Sequence, residues 1–70
     1  MTQLTNEEKS TIINQHIKNL EYSKFNAQIS VIEENAKSEP EAEVLASLNA
    51  QLTDYASRIT ALTAELDKLV

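Results

Sequence analysis

The sequence contains no cysteine and no glycine, a single proline, a single histidine and three aromatic residues, Tyr22, Phe25 and Tyr55. Without cysteine there are no disulfides and no thiolate metal sites. One histidine rules out an all-histidine metal site within one chain. Without glycine the chain has none of the Gly-based phosphate loops or dinucleotide fingerprints, so no nucleotide cofactor is expected, and no metal either. Basic residues are scarce as well, six against eleven acidic, for a net charge of −5. Nucleic acid and anionic membrane surfaces both call for a basic face and are disfavoured as partners. No run approaches the roughly 20 apolar residues of a spanning helix. The opening Met1–Glu8 lacks a basic stretch followed by an apolar one. The expectation is a soluble, cytoplasmic chain.

What is present reads as helix. β-branched residues never alternate over a strand-length run, and two helix starts stand out. Thr5-Asn6-Glu7-Glu8 is a capping box with acids at the positive end of the helix dipole. No strong breaker follows until Asn35-Ala36-Lys37. Ser38-Glu39-Pro40-Glu41 is a second capping box, with Pro40 in the first turn, where a missing N–H costs nothing. The prediction is an all-α fold: helices over about 5–36 and 39–69, turning at Lys37–Pro40 and packing antiparallel as one domain over 1–70. A single rod kinked at Pro40 is the alternative.

The second helix carries the strongest pattern. Leu45, Leu48, Leu52, Tyr55, Ile59, Leu62, Leu66 and Leu69 follow a 3,4 rhythm, a coiled-coil-type seam. Its opposite face is small: Ala46, Ala50, Thr53, Ser57, Thr60 and Ala64, either a solvated face or a second close contact. The first helix has two stripes, about 130° apart. Tyr22, Phe25, Ile29, Ile32 and Ala36 form one; Ile13, Ile17 and Leu20, continued by Ala27 and Val31, form the other.

Folding about Ser38 puts Phe25 opposite Leu52, Ile29 opposite Leu48, Ile32 opposite Leu45 and Tyr22 opposite Tyr55. Phe25, Ile29, Ile32, Leu45, Leu48 and Leu52 are therefore the expected hairpin core. Beyond it, Ile59, Leu62, Leu66 and Leu69 would face Lys18, Gln15, Thr11 and Glu8, while Ile13, Ile17 and Leu20 point elsewhere. A 70-residue chain buries little on its own, so the expected remedy is a homo-oligomer, a dimer first. It would be a four-helix bundle or larger assembly joined through Ile13, Ile17, Leu20, Ile59, Leu62, Leu66 and Leu69. A kink or register change near Ser23–Asn26 would instead rotate the first helix back into line.

Chemistry-bearing residues are few. His16 lies on the edge of the outward stripe with no nucleophile or orienting acid required by the spacing. Glu33, Glu34, Glu39, Glu41 and Glu43 face only Lys37, so the turn holds a net −4 of the chain's −5. The dipole of the second helix accounts for Glu39, Glu41 and Glu43, but nothing accounts for Glu33 and Glu34. A solvated tip or a protein partner with a basic surface fits this pole. Tyr22 and Tyr55, with Lys18, Lys24 and Arg58, would line a ligand pocket between helices of an oligomer.

The proline-containing turn before an apolar helix over Lys37–Leu48, and the texture of Asn49-Ala50-Gln51-Leu52-Thr53-Asp54-Tyr55, resemble the needle subunits and small co-chaperones of type III secretion. The resemblance spans about a third of the chain and departs at the turn, which has one proline, and at the N-terminal segment, which lacks tryptophan. It implies a structural subunit or co-chaperone. The residues themselves point to a non-catalytic helical interaction module that self-associates as an assembly, adaptor or regulatory subunit, with an oligomeric small-molecule-binding protein as the alternative.

Overall fold

The computed structural model describes residues 3–70. Its two helices, α1 (Asn6–Asn35) and α2 (Ala42–Asp67), pack side by side in a rod 58 Å long and 20 by 14 Å across. Among the described residues there is no strand, and no helix is long and apolar enough to cross a membrane.

α1 begins where the local code places it. Thr5 is extended, its Oγ1 accepts the Glu8 N–H at 3.0 Å, and its own N–H donates to Glu8 Oε1 at 2.9 Å. The Thr5 backbone N–H, and after it the Thr5 side chain, hold the Glu8 carboxyl below its usual range. Thr5→Ala removes one half of the box and should cost about 1 kcal/mol. The loss should show as faster amide exchange confined to the first two turns of α1; an unchanged exchange pattern would mean that the box contributes nothing.

The chain reverses over residues 36–41, around the expected Lys37–Pro40. α2, however, starts later than 39. Its N-cap is Glu41, extended at φ −89° and ψ 118°, with no bond from its own side chain. The Ser38 capping box does not form. A residue before proline is kept out of the helical region, so Glu39 cannot open a helix, and the start moves on to Glu41. The cap comes from α1 instead. The Glu41 N–H donates to Glu34 Oε2 at 2.9 Å, while Glu34 Oε1 pairs with Lys37 Nζ at 2.9 Å.

The rod is latched at its far end too, where Asn6 Nδ2 donates to the Leu69 carbonyl oxygen at 3.2 Å. The residue numbers of both latched pairs, Asn6–Leu69 and Glu34–Glu41, sum to 75, which shifts the register by two from the expected pairs such as Phe25–Leu52, whose numbers sum to 77. The α1 positions that lose exposure include Ser10, Ile13, Ile17, Leu20, Lys24, Ala27, Val31 and Glu34, an unbroken 3,4 rhythm, with Ser23 and Ser30 beside it. On this register those of the rhythm lie level with, or within one residue of, Leu66, Leu62, Ile59, Tyr55, Leu52, Leu48, Leu45 and Glu41.

This corrects the expected core. Phe25, Ile29 and Ile32 do not face α2: they are 61%, 38% and 63% exposed, and Tyr22 is 64% exposed. The seam of α1 is the other stripe, with Ala27 buried at its middle. The physical reason is coverage. The Phe25 phase would satisfy four levels of α2 and leave Ile59, Leu62, Leu66 and Leu69 against polar residues. The Ile13–Val31 phase gives every large residue from Leu45 to Leu66 a neighbour. Ser10, Ala27 and Ser30 let the backbones approach, and Lys24 can lay its aliphatic stem along the seam. No kink is involved, since α1 runs unbroken from Asn6 to Asn35 and is rotated as a whole.

Candidate functional site

The rotation of α1 decides which surface is left over. Ile13, Ile17, Leu20, Ile59, Leu62, Leu66 and Leu69, expected between copies, are each half-buried along the hairpin's own seam. The terminal half therefore closes on itself. Tyr22, Phe25, Ile29 and Ile32 instead stand in line on the solvent side of α1, spanning about three helical turns toward the acidic turn. Lys18 continues the line toward the N-terminus. With Glu21, Tyr22 and Phe25 it lines a shallow hollow of about 280 Å³.

Among the described residues, the other large exposed apolar side chains are Leu4, Ile12 and Val70, which lie singly or at the ends. The small face of α2 is exposed as well. There the Thr53 and Thr60 hydroxyls donate to the carbonyls of Asn49 and Ala56 at 3.1 and 3.0 Å, so both are satisfied within their own helix.

The four residues expected to share a ligand pocket are not brought together. Tyr22 is on the outward stripe, Lys24 and Tyr55 are half-buried in the seam, and Arg58 lies exposed beside it. The Arg58 guanidinium pairs with Asp54 at 2.8 Å, one turn back. Arg58 and His16 do line one open groove of about 430 Å³, with Asn19, Leu20, Ser23, Ala61 and Leu62. Among the described residues its lining includes no carboxylate to orient the imidazole, which hydrolytic chemistry through Ser23 would need.

The acidic turn is not uniform. Glu34 is 6% exposed and holds two partners, whereas Glu33, Glu39, Glu41 and Glu43 are exposed. The Glu41 N–H and then the Lys37 ammonium hold the Glu34 carboxyl below its usual range, and Glu34 in turn pushes Lys37 upward. Glu34 is thus the side chain that α2 lacks at its own start, supplied from seven residues upstream. Among the described residues no three histidine or acidic side chains stand close enough to hold a metal ion.

Sequence reasoning missed the place of Glu34 because its partner is a backbone N–H across a turn. The available signal was that Glu34 completes the 3,4 rhythm begun at Ser10. No protein-family model, curated protein or solved structure matches this chain.

Proposed function

We propose that this chain is a non-catalytic helical interaction module, an assembly or adaptor subunit whose docking face is the stripe Tyr22, Phe25, Ile29 and Ile32. One observation carries the reading. α1 already spends a complete seam on α2, yet four further large apolar side chains stand in register on its other side, 38–64% exposed. Scattered exposed leucines are ordinary on a protein surface, but an aligned apolar patch marks a contact. Burying such a side chain fully is worth about 1.5–3 kcal/mol. The 3,4,3 spacing is the footprint by which one helix packs on another. The docking face thus moves from the terminal half, where the sequence put it, to the half of α1 nearest the turn.

Site-specific photocrosslinking tests this. A benzophenone side chain at Phe25 should capture a protein in the cells that make this chain, while the same group at Ser57 on the small face of α2 should capture at least tenfold less. Equal or absent adducts at the two positions would overturn the docking reading. An adduct of twice the chain mass identifies a second copy; any other mass identifies a different protein.

A further inference from the structure

We infer that the occupant of the stripe is a second copy of this chain, packed with the two α1 helices antiparallel across a two-fold axis level with residue 27. This rests on the docking reading above and names its partner. Tyr22 and Ile32 lie equally far from that level on opposite sides, as do Phe25 and Ile29. A two-fold axis there sets Tyr22 of each copy against Ile32 of the other, and Phe25 against Ile29. All four exposed side chains then find an apolar counterpart, and the same patch serves both copies, as an isologous contact requires.

The flanking residues favour this direction of packing. On one side of the stripe, the nearest neighbours across the contact are Glu21 with Asn35 of the second copy and Gln28 with its own counterpart; on the other they are Glu33 with Asn19 and Asn26 with its counterpart, each one residue off strict level. Glu21 and Glu33 of the second copy share a level but lie on opposite sides of the stripe, so no like charges face each other directly. Lys18, in line with the stripe, comes level with Ala36 of the second copy, at the foot of that copy's acidic turn with its net −4.

Parallel packing sets Lys18 against Lys18 in the contact line and brings the two acidic turns side by side. Charges beside an apolar seam set strand direction in helical pairs, and here they select antiparallel. The product is four helices in the order α2, α1, α1, α2, with the small faces of α2 outward.

The purified full chain tests this directly. Light scattering across a concentration series from low to high micromolar should show monomer passing to dimer. Ile29→Glu should raise the dissociation constant at least tenfold while the low-concentration helical signal is retained. Since the chain has no cysteine, Asn14→Cys places a single spin label on an exposed position of α1. Asn14 is thirteen residues from the axis level, so two labels should lie about 40 Å apart in the antiparallel dimer and under about 20 Å in a parallel one, at 1.5 Å rise per residue.

A monomer at the highest concentration, a short label distance, or a dimer unaffected by Ile29→Glu would each overturn the inference. A monomer in solution together with a Phe25 adduct of some other mass would overturn the second copy and leave the docking reading standing. Loss of the Phe25 adduct would remove both.

Discussion

Ile17→Asp is expected to lower the melting temperature of the monomer by about 12–24 °C, whereas Ile32→Asp leaves it nearly unchanged. Both substitutions put a carboxylate in place of isoleucine on the same helix, so propensity cancels and only the face differs. Ile17 is half-buried along the α1–α2 seam, within one residue of the level of Ile59 on the observed register. Truncating a fully buried isoleucine typically costs about 2–5 kcal/mol; half-burial lowers that figure, and an unpaired charge facing leucines raises it again. A net of about 3 kcal/mol is a large share of the roughly 3.5–10 kcal/mol expected for a chain this short.

Ile32, 63% exposed on the opposite side, should change monomer stability by no more than about 0.5 kcal/mol. The comparison belongs at low micromolar concentration, where association through the stripe does not add to the apparent stability. If the two variants melt alike, or Ile32→Asp is the one that unfolds, the assignment of the two faces of α1 is wrong.

That assignment is also where sequence reading and structure part. The Thr5–Glu8 box was legible because its atoms lie within one turn. The turn at Lys37–Pro40 was legible because a proline between two long apolar patterns has few alternatives. The α2 seam was legible because eight large residues keep strict time. The face of α1 was not, since two stripes compete there and the more conspicuous one is the outer one.

Tyr22, Phe25, Ile29 and Ile32 are large and closely spaced, which suggests a core. The true seam includes Ser10, Lys24, Ala27 and Glu34, which disguise its rhythm. What decides between them is length. Eight consecutive levels can be matched to α2 by one phase and only four by the other, and this is a property of the pair of helices rather than of either alone. The outer stripe was read correctly as apolar and in line, and wrongly as interior. The docking role proposed for it depends on that reversal, because residues needed for the hairpin would not have been free for a partner.

Glu34 is the other place where tertiary structure overrides local code, and its removal should show a distinct pH signature. Glu34→Gln keeps the shape but loses the charged acceptor for the Glu41 N–H and the partner of Lys37. At pH 7 the melting temperature should fall by roughly 4–8 °C, the shift typical of one lost helix cap in a chain of this size. Lys37→Met should do less, because it leaves the cap intact and removes only a pair whose lysine side chain is 56% exposed.

The sign on the acid side follows from linkage. The Glu34 carboxyl is held below its ordinary value of 4.5 in the folded chain, so its contribution is present above that value. It is lost as pH falls through the lower folded one. Lys37 is shifted upward from 10.5, so its contribution is present below that value and is lost as pH rises through the raised one. Between about pH 5 and pH 10 the gap between wild type and Glu34→Gln should therefore be flat, given the ordinary carboxylate and amine ranges. Below pH 4 it should shrink. The wild type keeps a smaller acid-sensitive component from Glu8, whose carboxyl is also lowered by Thr5, and Glu8→Gln should remove it separately. Thermal melts from pH 2 to 11 on the two single variants and the double would resolve these contributions. A gap that widens on acidification, or no gap at pH 7, would show that α2 does not depend on a carboxylate lent by α1.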